Sequence, residues 1–210
     1  MERVRMFGFN HKEPGDDIEL PKSPLEQLPL LKPGDAVAFW GAGNRVVTTR
    51  LDCQETVNDE TYNWTWWFLD DQSILEVSLD GQFHYTNHEI AHQGGSLYQT
   101  LVAQDGALVH FEERVRDETV ADRPVHVTLG EHEYRVASTG TFTVVNRQGP
   151  APRPIPWQGI GNRADDNVYF SLVRSDDENA VALGIWTNHV CLSYGTPIDD
   201  TSITEVFRAK

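Results

Sequence analysis

The chain has 210 residues and a formal net charge of −15, with cations supplied mostly by arginine because Lys12, Lys22, Lys32 and Lys210 are the only lysines. Such a surface repels phosphate, so autonomous binding to DNA, RNA or an anionic bilayer is disfavoured, and basic proteins or cations are the expected partners. The length accommodates one large β domain or two small ones and can hide roughly 70% of the surface exposed by the unfolded chain.

The opening residues, MERVRMFGFNHKEPGDD, contain no apolar leader core, and no later window approaches the ~18 apolar residues of a membrane span. A cytoplasmic location without direct membrane insertion is therefore expected. Cys53 and Cys191 stand far apart without CxxC company, so two reduced, packed thiols are expected, and nothing in the pattern asks for a cofactor.

Residues 1–33 carry Pro14, Pro21, Pro24, Pro29 and Pro33 without sustained periodicity, which predicts an extended N-terminal arm anchored at its end by Leu28, Leu30 and Leu31. Pro33-Gly34 turns the chain into Ala36–Trp40, and residues 41–44 turn it again into Arg45–Leu51, a β-hairpin. After Asn58-Asp59-Glu60 comes the densest apolar stretch, Tyr62–Leu79. There Trp64, Trp66 and Phe68 alternate with Thr65, Trp67 and Leu69, Asp70-Asp71 breaks the run, and Ile74, Leu75, Val77 and Leu79 follow with Glu76 and Ser78 between them. A period of two on either side of a break predicts a hairpin, and its aromatic side chains, each hiding roughly 150–250 Å² when buried, are the expected nucleus of the core.

Asp80-Gly81 is a two-residue turn into Gln82–Thr86, and Leu97–Val102 and Leu108–Val115 read as two further strands about Asp105-Gly106. Val125–Leu129, Glu133–Ala137 and Thr141–Val145 follow as three short strands, then Val168–Val173, Val181–Trp186 and Val190–Tyr194. Between them residues 147–166 show no core pattern, and Trp157 within them is expected to be a buried lid residue or a partner-binding anchor. Asp199 or Asp200 is an N-cap candidate for a last short turn of helix.

Strands about ten residues apart, with turn residues between, predict an all-β fold of antiparallel sheets forming a sandwich or barrel, with helix nearly absent. The domain reading is an arm over residues 1–33 and a β-rich domain over 34–210, divisible into halves 34–115 and 123–207. A faint echo supports the halves. Trp64-Trp66-Phe68, Asp70-Asp71 and Leu75-Val77-Leu79 match Val168-Phe170-Leu172, Asp176-Asp177 and Val181-Leu183-Ile185 as two hairpins of one design.

LKPGDAV (Leu31–Val37), Arg45–Thr49, Tyr62–Leu69 and Ile74-Leu75-Glu76-Val77 resemble the opening of the bacterial DUF4178 family. Val168-Tyr169-Phe170, Ala180–Trp186 and Tyr194-Gly195-Thr196-Pro197-Ile198 are similar to its close. The resemblance carries no catalytic residue with it. It implies a β-rich fold and an accessory role beside membrane-stress coiled-coil proteins, small membrane proteins and aminopropyltransferase-like enzymes. The zinc ribbon of some relatives has no counterpart among the cysteines of this chain.

His84, His88 and His92 recur every four residues, and on a helix they would line one face as zinc ligands require, with Glu89 beside them. On a strand they would still share a face but would spread over roughly 26 Å, too far for one ion. No nucleophile elbow, phosphate loop or HExxH occurs, and Asp70-Asp71, Asp165-Asp166 and Asp176-Asp177 each fall where a turn is needed. Glu112, Glu113, Arg114 and Arg116 read as a mixed-charge strand edge.

These observations lead to a non-enzymatic accessory or adaptor protein that binds a protein partner in a membrane-stress-linked assembly, with no assigned oligomeric state. The alternatives are a β-barrel holding a small apolar or cationic ligand with Trp64, Trp66 or Trp157 at its mouth, and a metal-dependent enzyme built on His84, His88 and His92.

Overall fold

A computed structural model describes residues 23–78, 81–153, 157, 160, 167–186 and 189–210. The first 22 residues of the expected arm, Asp80 of the expected turn and the Asp165-Asp166 pair lie outside them.

Among the described residues eleven strands form one antiparallel sheet: β1 (Ala36–Phe39), β2 (Gly43–Val57), β3 (Glu60–Leu69), β4 (Ile74–Ser78), β5 (Gly81–Ala91), β6 (His126–Leu129), β7 (His132–Gln148), β8 (Asn167–Arg174), β9 (Asp177–Trp186), β10 (Val190–Pro197) and β11 (Ile203–Phe207). Strands run in the order β2-β3-β4-β5-β10-β9-β8-β7, and β7 pairs back onto β2, so these eight close into a barrel. β1 with β11 extends it past β2, and β6 extends it past β7.

Closure depends on two long strands that each serve three neighbours. The 15 residues of β2 pair with β1, then with β3 on one side and β7 on the other, where Leu51 opposes Arg147 and Cys53 opposes Val144. The 17 residues of β7, expected as two short strands, pair in turn with β6, β8 and β2. Register shifts between Val47 and Thr49, Asp52 and Cys53, and Val136 and Ser138 supply the bends that let strands so long wrap a barrel. Asn58 and Asp59, both with positive φ (51° and 66°), make the tight β2–β3 turn in the left-handed region that these two residue types tolerate.

The core has three layers. Inside the barrel lie Leu51, Trp66, Phe68, Ile74, Tyr85, Phe142, Leu183, Ile185 and their neighbours. Outside β2, β3 and β4 a second core joins Val37, Phe39, Val47, Trp67, Leu69, Leu75 and Ile203 to Leu28 and Leu31. Outside β7–β10 a third joins Phe170, Leu172, Ala182 and Leu192 to two helices, α2 (Ser96–Val102) and α3 (Ala107–Arg116). β3 is covered on both faces, which is why Trp64-Trp66-Phe68 and Trp67-Leu69 are both apolar sets.

Three expectations change. Leu97–Val102 and Leu108–Val115 are helical: Ala107, Leu108 and Phe111 are the buried side chains of α3, spaced one and three apart, while Glu112 and Glu113 turn outward. The alternation about Asp105-Gly106 failed because neither alternate set, Leu-His-Glu or Val-Phe-Glu, was uniformly apolar. Arg114 and Arg116 therefore sit in the last turn of a helix, where a cation complements the dipole, and form no strand edge.

The end of the expected arm is also helical. Ser23 caps a short helix, α1 (Pro24–Gln27), through a reciprocal box with Glu26 (Ser23 N–H to Glu26 Oε2 2.8 Å, Glu26 N–H to Ser23 Oγ 3.2 Å), and a 3-10 turn, Leu28–Leu30, continues it. Leu28 and Leu31 are fully buried and Leu30 is exposed. Lastly, Asp199 caps a turn rather than a helix: its Oδ1 accepts from the backbone N–H groups of Thr201 (2.9 Å) and Ser202 (3.0 Å), and the chain continues as β11 against β1. Among the described residues no helix is long and apolar enough to cross a membrane.

Candidate functional site

The alternation on β2–β5 and β7–β9 decides what the barrel contains. At one end the interior is filled by aromatic rings. Trp157, from the β7–β8 connection, is fully buried and meets Trp66 edge-on at 5.0 Å and Phe68 at 4.8 Å, while Trp66 also meets Phe142 at 5.1 Å. Ile160, from the same connection, is fully buried beside them. The two cysteines face this interior as free thiols; burial pushes the Cys53 thiol well up and the Cys191 thiol up to about 11, which leaves both unreactive.

At the other end the barrel is not filled. A cavity of about 750 Å³ opens there, walled by Trp64 and Trp66 of β3, Glu76 of β4, Phe83 and Tyr85 of β5, Tyr169 of β8 and Leu183 of β9, with Tyr62, Gln82 and Glu178 also in its lining. Volumes of 300–1,000 Å³ with mainly apolar walls and a few placed polar groups are usual for small-molecule sites.

The polar groups are tied to the rings. Trp66 donates its indole N–H to Oε2 of Glu76 (2.9 Å) and the Tyr85 hydroxyl donates to the same oxygen (3.2 Å). Glu76 is 8% exposed, so these donors compensate part of the cost of removing a carboxylate from water. On the far side of Trp64, the Tyr169 hydroxyl donates to Oε2 of Glu55 (2.8 Å). Trp64 stands between the two, 5.6 Å from Trp66 and 5.4 Å from Tyr169 between ring centroids. Gly140 of β7, directly opposite Tyr169, leaves room for this arrangement: a Cβ there would come 2.1 Å from Glu55 Oε1 and 2.9 Å from the Tyr169 ring.

Of the three tryptophans singled out from the sequence, Trp64 and Trp66 are on the cavity wall, whereas Trp157 lies beneath it in the packed end of the barrel. Glu55, Glu76, Phe83, Tyr85 and Tyr169 were not foreseen. Glu76 alternates with Leu75 and Val77, and that apolar pair packs on the outer core, so the polar residue points inward. The signal was present in β3: a strand apolar on both faces has both faces covered, and a polar residue on its neighbour is then not automatically exposed.

The histidines do not form one site. They fall along and just past β5 rather than on a helix, and they do not share a face: the register with β10 slips between Tyr194 and Gly195, so the strand carries a bulge between Tyr85 and Asn87. His84 stacks on Phe39 at 4.2 Å, His88 bonds Ser193 Oγ (2.9 Å) and the Gln72 carbonyl (2.8 Å), and His92 meets His189 edge-on at 4.9 Å. Among the described residues no three His, Cys, Asp or Glu side chains gather as a metal site would require.

Burial pushes the His84 imidazole from its ordinary value down to about 4, with Asp71 opposing and Arg45 reinforcing the shift. A depressed histidine stabilises the fold fully above about pH 6.5 and loses that contribution as pH falls toward 4. Between pH 7 and 4.5 the urea midpoint of the wild type is therefore expected to fall further than that of His84→Phe, which keeps the stack on Phe39; equal falls would mean that His84 titrates normally.

No protein-family model matches the chain, and no curated protein or solved structure matches it.

Proposed function

We propose that the protein is a small-ligand carrier or sensor whose barrel binds a compact, largely apolar molecule in the cavity at the Trp64 end. The observation that carries this reading is the unfilled volume of about 750 Å³ in a barrel whose opposite end is packed solid with Trp157, Phe68 and Phe142. A chain that fills one half of its interior with large rings has the means to fill the other, and leaving it open forgoes stabilising burial. Binding rather than turnover is favoured because, among the described lining residues, no histidine stands beside a serine or cysteine nucleophile.

The accessory role implied by the DUF4178 resemblance is compatible with a ligand-holding barrel. Its adaptor form requires exposed aromatic surface; Trp66 and Trp157 are 1% and 0% exposed, whereas Trp40 at the β1–β2 turn is 79% exposed.

The test is titration with N-phenyl-1-naphthylamine, a neutral apolar fluorophore whose emission rises in apolar surroundings. Saturable one-to-one binding is expected, weakened about tenfold or more by Val173→Trp, which sends an indole into the cavity from β8. A non-saturating rise, or a variant that melts near the wild-type temperature and binds as well, would remove the reading.

A further inference from the structure

The sign of the charge in the cavity narrows the ligand. Resting on the ligand-binding reading above, we propose that the ligand is an organic monocation, an alkylammonium with an apolar body, whose charged head sits against Trp64, Tyr169 and Glu55.

Three independent features meet there. The first is the unfilled volume at this end of the barrel. The second is a pair of rings, Trp64 and Tyr169, tilted 56° to one another with centroids 5.4 Å apart, which present an aromatic corner toward the cavity. The faces of such rings attract a cation, most strongly where water is excluded. The third is charge: the charged side chains among the described lining residues, Glu55, Glu76 and Glu178, are all acids.

Glu55 is the acid best placed for a head group. Its Oε2 is held by the Tyr169 hydroxyl at 2.8 Å, which fixes the carboxylate beside the aromatic corner, and Gly140 supplies the space beneath both. A cation at the corner gains from the rings and from the carboxylate together, in a medium less screening than water. A neutral group lacks the ionic attraction of both, and an anion is opposed by both. The apolar body then lies along Phe83 and Leu183. The net charge of −15 draws such a ligand toward the protein from solution.

The experiment uses four probes that share one tail, octyltrimethylammonium, octylamine, 1-octanol and octanoate, each competing with N-phenyl-1-naphthylamine in the full chain at pH 7. The two cations are expected to bind about tenfold more tightly than octanol, with octanoate weakest. Glu55→Gln, whose amide oxygen can still accept from Tyr169, is expected to cut the ratio of trimethylammonium to octanol affinity about tenfold, and Trp64→Leu to lower the same ratio. Octanoate binding as tightly as the cations, or a ratio unchanged in Glu55→Gln, would overturn the cation assignment while leaving a ligand-binding barrel intact. Failure of all four probes and of the fluorophore would remove the ligand-binding reading and the assignment with it.

Discussion

Trp66→Ala is expected to cost about 4–5 kcal/mol of folding stability, close to the upper end for loss of a large aromatic from a core. The indole is 1% exposed and stands at the junction of the packed and open halves of the barrel, within 5.0–5.6 Å of Trp157, Phe142 and Trp64 between ring centroids. Truncation leaves a cavity bounded by Trp64 of β3, Phe142 of β7 and Trp157 of the β7–β8 connection, and the first two are on strands that the barrel's hydrogen bonds hold in place, so the gap cannot simply close. It also removes one of the two donors that Trp66 and Tyr85 supply to Glu76 Oε2, a loss of about 1–3 kcal/mol for a buried acceptor. Trp66→Phe separates the two effects, since it keeps most of the apolar bulk and removes the N–H. It is expected to lie near the hydrogen-bond figure alone, about 1–3 kcal/mol. Trp40, 79% exposed at the β1–β2 turn, provides the contrast, and Trp40→Ala is expected to change stability by no more than about 0.5 kcal/mol. Guanidinium titrations with unchanged slopes measure all three. A cost below about 1 kcal/mol for Trp66→Ala would mean that the aromatic cluster is not packed as described.

Trp66 also shows where sequence pattern informs and where it stops. The period of two in Tyr62–Leu69 and the turns at Asn58-Asp59 and Asp70-Asp71 placed β3 and its neighbours correctly, because alternation and turn residues are local properties. The all-β antiparallel character followed from the same signals. Closure did not, since it lies in the pairing of Leu51 with Arg147 and of Cys53 with Val144, nearly a hundred residues apart, and nothing local in either strand announces the other. The echo between the hairpins failed for a related reason. Trp64, Trp66 and Phe68 face the barrel interior, whereas Phe170 and Leu172, their counterparts, face the outer core under α2 and α3. The interior positions of β8 are Tyr169 and Val173, so the two hairpins have opposite parity.

The two helices and the capped N-terminal turn carried local signals of their own. Ser23-Pro24-Leu25-Glu26 is a capping box with proline at the first helical position, and the proline count over residues 1–33 masked it. The cavity was legible only indirectly. Its aromatic wall lay in the densest apolar stretch, but which indoles would be covered by other rings and which by open volume depended on the β7–β8 connection delivering Trp157 to one end only. The charge of the site was hidden because Glu76 looked like the solvent-facing partner of Leu75 and Val77 until the outer core claimed that pair.

The contact that seals the outer core of the second half makes the other large prediction. Gly184 of β9 lies directly opposite Phe170 of β8, and a Cβ built on it would stand 2.0 Å from Phe170 Cζ and 2.2 and 2.4 Å from the adjacent ring carbons. The ring therefore lies on bare backbone, and Phe170 is fully buried beneath the helices, so it has nowhere to swing. Gly184→Ala is expected to cost about 3 kcal/mol or more despite adding one methyl group, at the high end for overpacking, whereas alanine in an open strand position costs little or even helps. Phe170→Leu alone is expected to cost about 1–2 kcal/mol through lost volume. Because leucine vacates the position of Cζ, the two changes relieve each other, and the double variant is expected to be less destabilised than the sum of the singles by about 1–2 kcal/mol. A double-mutant cycle in guanidinium reads this coupling directly. Strict additivity would mean that the Phe170 ring does not rest on Gly184, and that the seam between the barrel and its helical cover is packed in some other way.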